Sequence, residues 1–439
     1  MRPLRQKETP TTEPEPRHPP ARAGVAPAAV AAPPTPAAAA PSRRAIGVDV
    51  ARAIALIGMI SVHVFPEEGD DGAMVPAYAI FGGRASALFA VLAGVSIAFV
   101  ERRSRGELSG RSLAADRAAL VVRGLLLLFA GLLLGYLDAP IDVIIPYFGI
   151  LFLLALPLYA RSSRTLLITA AFFAVVGPIV LHLSGSAILG DRVPDPNYTL
   201  ASVAKNPLPF VADALLTGYY PVILWMVYIC VGMVIGRQVL TSTRTAVLLA
   251  GWGAALAAST WALSKFLLGP AGGFERLVAA TPELTREDIA YNVAYRPDVT
   301  LMPDSTWWWL ATLSPYSHTH LNILHNLGSV VAAFGIILLL TSRGGKVFAP
   351  FAAMGAMSLT VYSAHCVFLT LEVVDEENPM ISLWVQVISF MLFALLWRSS
   401  MGRGPLETII SDASDWVRKR VRKSQSGQTR RATAKGGTE

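Results

Sequence analysis

The stretch 45–66, AIGVDVARAIALIGMISVHVFP, decides how the rest of the chain is read. It is apolar over most of its length and long enough to cross a bilayer, which takes about 20 residues at 1.5 Å each. It also holds Asp49, Arg52 and His63. Charge in hydrocarbon is costly, so such residues face a bundle interior or a watery cavity. Asp49 and Arg52 stand three apart and share a helical face. His63 lies fourteen residues past Asp49. That returns it to within about 40° of the same face, about 21 Å further along the axis. One stripe of one helix thus carries an ion pair near one membrane surface and an imidazole near the other. The plainer alternative is a pair that seats the helix end and an interfacial histidine.

Composition agrees with a membrane protein: of 439 residues 53% are hydrophobic and only 15% charged. The net charge of +7 comes largely from the tails and short loops and calls for no nucleic acid. Cys230 and Cys366 sit in separate apolar segments, so there is no disulfide framework to read. No P-loop, nucleophile elbow or zinc-protease motif names a chemistry, and no metal is expected.

Working outward, residues 1–42 read as a disordered Pro/Ala-rich arm. Ten apolar segments follow, near 45–66, 79–100, 118–137, 141–159, 165–184, 212–236, 244–268, 321–341, 347–371 and 380–398. The second has a surface of small residues, Gly82, Gly83, Ala85, Gly94 and Ser96, suited to close helix packing. Links at 43–44, 101–117, 160–164, 237–244 and 343–346, and the tail, are basic; the others are acidic or nearly free of Lys and Arg. The positive-inside rule then predicts an all-α polytopic protein of the plasma membrane, with about ten transmembrane helices and both termini cytoplasmic. Residues 43–400 form the membrane domain. The tail, 401–439, is basic, with an amphipathic helix expected at 405–421.

On this topology every histidine except His18 falls near the outer leaflet: His63, His182, His318, His320, His325 and His365. Ser358, Tyr362 and His365 share one helical face, as a polar cavity wall would. Arg84 enters the second segment, Asp142 opens the fourth, and Asp213, Tyr219 and Tyr220 open the sixth. Imidazole is the natural general base near neutral pH. The plainer readings are an interfacial His182, loop positions for His318 and His320, and an aromatic belt for Tyr219, Tyr220 and Trp307–Trp309. Toward the inner side, Asp49, Arg52, Arg123 and the arginines of 102–117 make a basic rim. Such a rim suits phosphates, and it also suits anionic lipid headgroups.

Four stretches resemble a known family: RAIGVDVARAIALIGMISVH (44–63), GGRASALFAVLAGVS (82–96), LLTGYYPVILW with VGMVIGR (215–237) and MSLTVYSAH (357–365). Together they are similar to the bacterial branch of the heparan-alpha-glucosaminide N-acetyltransferase-like membrane acyltransferases. The resemblance implies transfer of an acyl group, acetyl foremost, from cytoplasmic acyl-CoA to a sugar or glycolipid acceptor of the cell envelope on the extracytoplasmic side of the membrane. The family's polar position at the end of the first helix matches His63. On that basis His63 is the expected base, Arg84 stabilises the oxyanion, and His365 with Tyr362 helps bind the acceptor. Arg52 and Arg123 would hold the donor's phosphates, and Asp49, Asp142, Tyr219 and Tyr220 are expected among the substrate-binding residues. Membrane lipids are the expected surroundings, and a homodimer is one assembly that fits. Two other classes stay open on the residues alone: a proton-coupled transporter or lipid flippase using the same polar stripe, and a non-catalytic envelope scaffold.

Overall fold

The computed structural model describes residues 43–104, 110–295, 301–373 and 378–435. The Pro/Ala-rich arm with His18, and parts of the basic link 101–117 and the acidic link 375–379, lie outside the described residues.

All regular elements among the described residues are helical. The first are α1 (Arg43–Val64), α2 (Pro76–Phe81), α3 (Arg84–Ser104), α4 (Gly110–Leu134), α5 (Ile145–Leu154), α6 (Ser163–Leu189), α7 (Leu200–Lys205) and α8 (Pro207–Ala212). A π-turn, Asp213–Thr217, leads to α9 (Val222–Gly236) and α10 (Thr243–Leu268). Then come α11 (Gly273–Ala280), α12 (Arg286–Ala294), α13 (His320–Arg343), α14 (Ala349–Ala356), α15 (Ser358–Thr370), α16 (Pro379–Ser400) and α17 (Pro405–Lys435).

Seven helical stretches are long and apolar enough to cross a membrane, and two bent pairs raise the number to nine. Among the described residues the expected count of about ten thus stands at seven to nine by length and composition. The segment at 141–159 holds only a short helical run, Ile145–Leu158, bounded by Pro146 at its start and Pro157 in its closing 3-10 turn. The sixth segment breaks by 52° between Thr217 and Val222, where Gly218 and Pro221 stand. The ninth breaks by 81° between α14 and α15. There Gly355 lets the α14 backbone rest on α1. A Cβ at Gly355 would lie 1.8 Å from the Asp49 carbonyl oxygen. A hydropathy window counts apolar residues and is blind to such bends.

Helix α1 is central, packed against α3, α13, α14 and α16. Its buried residues include Val48, Ala51, Ala55, Leu56 and Ile60. Small residues bring α3 onto α9: a Cβ on Gly94 would meet the Ile229 carbonyl at 2.2 Å, and one on Gly232 the Val91 carbonyl at 2.1 Å. Helices α10 and α16 are peripheral. Trp252, Trp261 and Phe266 on the first, and Ile381, Trp384 and Leu396 on the second, are exposed where lipid would lie.

The bundle has two ends, named here for Asp49 and His63. At the Asp49 end Arg237 pairs with Glu101 at 2.9 Å, with both side chains buried, and also donates to Ser163. Asp116 accepts from Tyr159 and Arg418 at the same end, tying α17 to α4. The starts of α1 and α17 meet here, so the described chain enters and leaves the bundle at one end. The segment 269–319 carries its own small core of Leu277, Ile289 and Trp309. The tryptophan run expected as an interfacial belt is therefore split: Trp309 is buried, Trp308 stacks on Arg276, and Trp307 is exposed.

Candidate active site

Two cavities lie along α1. The first, at the Asp49 end, measures about 510 Å³. Asp49, Arg52, Arg123, Arg403 and Glu407 supply its charges, and Phe89, Leu127, Phe148 and Phe152 its apolar walls. Arg52 donates to Asp49 at 3.0 Å and to Ser96 at 2.6 Å. Arg123 lies over the Phe152 ring, 5.2 Å from its centroid. Glu407 comes from α17 and caps α15, which has no local side-chain cap. Its carboxylate accepts the backbone N–H of Leu359 at 2.7 Å and of Thr360 at 3.1 Å, and the Thr360 hydroxyl at 2.6 Å.

The second cavity, at the His63 end, measures about 480 Å³. It is lined by His63, Glu67, Asp138, Asp142, Asn197 and the tyrosines Tyr78, Tyr219, Tyr220 and Tyr316. Tyr316 holds a left-handed backbone, φ +59°, a strained geometry for an aromatic residue. Asp213 braces the wall from behind. Buried in the π-turn, it accepts from Arg192 at 2.7 and 2.6 Å, from Tyr198 at 2.5 Å and from Thr217 at 2.7 Å. Burial and the Asp213 carboxylate both push the Tyr198 hydroxyl above the ordinary tyrosine range, so it stays a donor.

The cavities stand back to back. Helix α1 gives Met59 to the first and Val62 and His63 to the second; the segment leading into α5 gives Ile144, and α5 Ile145, to the first, and that same segment gives Asp138–Asp142 to the second. The Tyr362 hydroxyl accepts the Ile144 N–H at 3.2 Å and helps to close the partition. One turn on, His365 Nε2 lies 2.9 Å from His63 Nδ1, and its Nδ1 lies 2.6 Å from Gln386 Oε1. Among the described residues, no group of three or more His, Cys, Asp or Glu is placed to hold a metal ion.

Of the residues expected at the site, Asp49, Arg52, Arg123 and Tyr362 meet in the first cavity, and His63, Asp142, Tyr219 and Tyr220 in the second. His365 joins through His63. Arg84 lines neither cavity. Its guanidinium donates to the Ala79 carbonyl at 2.6 Å and the Ile80 carbonyl at 3.4 Å, and lies 3.2 Å from His325 Nε2. The cause is a break at Gly82–Gly83, with Gly83 at φ +67°, which turns Arg84 back onto the end of α2. His325 is held by the Ala257 carbonyl, His320 lies 2.9 Å from the Val175 carbonyl, and His318 accepts from Trp225. His182 is buried beside Trp307. Sequence reasoning missed Glu67, Gln386, Arg403 and Glu407. A lone glutamine in the apolar run of α16 was the one available signal.

A family model described as heparan-alpha-glucosaminide N-acetyltransferase, catalytic, matches residues 44–265. No curated protein and no solved structure matches the chain. The matched stretch runs from α1 through most of α10 and holds His63, Asp142, Tyr219 and Tyr220; His365, Gln386 and Glu407 lie beyond it. The match spans half of the chain, and its apolar helices make the protein a multi-pass membrane protein. The chain belongs to the heparan-alpha-glucosaminide N-acetyltransferase catalytic family, a family of membrane acetyltransferases.

Proposed function

We propose that the protein moves an acyl group, acetyl foremost, from acyl-CoA in the Asp49-end cavity to a sugar hydroxyl or amine in the His63-end cavity. The observation that carries this reading is the pair of cavities set back to back along α1, Met59 lining the first and, one turn on, His63 lining the second. Arg102, Arg161, Arg164, Arg237, Arg343 and Arg403 follow the positive-inside pattern. The Asp49 end therefore faces the cytoplasm and the His63 end the outside of a plasma membrane. Arg52, Arg123 and Arg403 suit the phosphates of the donor, and Phe89, Phe148 and Phe152 suit its thin apolar arm. The acidic and aromatic His63 end suits a polyhydroxy or amino acceptor, such as an envelope glycan or glycolipid.

In the transfer step the acceptor oxygen or nitrogen attacks the thioester carbonyl carbon while His63 takes the acceptor's proton. The new C–O or C–N bond forms, the C–S bond breaks, and the departing thiolate takes the proton back from the imidazolium. Products are the acylated acceptor and CoA thiol. Arg84 has no part in this step, because its guanidinium is engaged with the end of α2.

The test is acyl transfer by purified protein in nanodiscs, with labelled acetyl-CoA and an envelope glycolipid extract, wild type beside His63→Ala. Label and free thiol should appear together with wild type only. Folded protein that consumes no thioester at any acyl length, yet moves lipid or protons, supports the transport reading instead.

A further inference from the structure

The bond between His63 and His365 is part of a longer chain of donors and acceptors that runs out to α16. The order of its atoms leaves one arrangement of protons. Gln386 Nε2 donates to the Ser382 hydroxyl one turn back in α16, at 3.2 Å. Gln386 Oε1 faces His365 Nδ1, at 2.6 Å. A carbonyl oxygen only accepts, so His365 Nδ1 carries a hydrogen. A neutral imidazole has one N–H, so His365 Nε2 carries the lone pair and accepts. Facing it at 2.9 Å is His63 Nδ1, which must therefore donate. The remaining nitrogen, His63 Nε2, is then the lone-pair nitrogen.

The ring geometry agrees. The two imidazoles are within 8° of parallel with centroids 5.2 Å apart. That separation is the N···N distance plus a ring radius at either side. The rings thus lie edge to edge and the bond runs in line with both. Gln386 and His365 are buried at 0% and 1% exposure, so water does not compete for these bonds. His63 is half-buried at the cavity, where the chemistry would occur.

We propose that Gln386 and His365 are positioning residues that fix the tautomer of His63, Gln386 acting through His365. The proposal rests on the reading of His63 as the base. It adds a part to that reading from α15 and α16, beyond the stretch the family model matches. In hydrolytic triads a carboxylate does this work from Nδ1, and substituting it with an amide leaves the wrong tautomer. Here an amide carbonyl reaches the base through a second imidazole. The chain of bonds is neutral throughout, which suits a site among apolar helices, where a buried carboxylate is costly.

The test uses full-length protein in nanodiscs, with Gln386→Met, which keeps bulk and removes the acceptor, and Gln386→Glu, which keeps an oxygen facing Nδ1. ¹⁵N spectra of histidine-labelled protein, assigned against His63→Ala, read the tautomer directly. We expect His63 protonated on Nδ1 in wild type and a mixture in Gln386→Met. We expect Gln386→Met to lower kcat at least about tenfold, with KM for acetyl-CoA within about twofold, and Gln386→Glu to recover much of that loss. Wild-type His63 protonated on Nε2 overturns the proposal, as does a folded Gln386→Met with wild-type kcat. Should Gln386→Met fail to fold, the wild-type spectrum still decides. If wild type transfers no acyl group, it is the base reading that fails, and the spectrum still judges the relay.

Discussion

The two cavities are nearly equal in size, about 510 and 480 Å³, and opposite in chemistry. The first is lined by three arginines and two acids, and both acids are committed, Asp49 to Arg52 and Glu407 to the start of α15. The second is lined by three acids, four tyrosines and a histidine, with no Lys or Arg. Such a contrast across shared walls sorts ligands by charge before any close contact forms, and the low dielectric of the bundle strengthens it. A polyanion would be drawn to the first end and kept from the second. On the proposed reading an acyl group would cross a partition made by α1, the segment before α5 and α15, while the two substrates stay on their own sides.

The account is broken most easily at His63. His63→Ala should lower acyl transfer at least about 100-fold with donor affinity unchanged, as seen by titrating acetyl-CoA binding. A structural effect at least as large lies at the other end. Glu101→Ala strands the buried Arg237 and should cost about 3–5 kcal/mol of stability. It reads as a large drop in thermal midpoint with no preference between donor and acceptor. Arg123→Gln sharpens the comparison itself: KM for acetyl-CoA should rise about tenfold, the equivalent of one charged contact, while KM for the acceptor holds. Glu407→Gln should weaken the cap on α15 by about 1 kcal/mol and raise the donor KM a fewfold. Smallest is Arg84→Gln: it lines neither cavity, so transfer per folded molecule should stay within about threefold of wild type.

Much of this was legible in the sequence. The polar stripe of α1 needed only the helical repeat; that its Asp49 and Arg52 line one cavity and its His63 another was not in the spacing. All ten apolar segments have helical counterparts, because burial in lipid is written in composition. What escaped depends on tertiary detail. The bend beside Gly355 goes with its contact on α1, and the break at Gly218–Pro221 is one a hydropathy window does not register. Glu407 caps a helix almost fifty residues away, an encounter that no local pattern encodes. Gln386 was visible as a lone polar residue, but its partner could not be named before α15 and α16 were side by side. Arg84 is the opposite case. A charge in an apolar run looked functional, yet the glycine break before it supplies two backbone carbonyls that account for its place.

The most direct test of the two-cavity account is transfer across a sealed membrane. Protein is reconstituted in one orientation, labelled acetyl-CoA is given only to the Asp49 face, and the acceptor is enclosed with the His63 face. The account predicts labelled acceptor on the His63 side, an equal amount of CoA thiol on the Asp49 side, and neither with His63→Ala. Transfer only when both substrates share one face, or passage of the acceptor without loss of thioester, would contradict it.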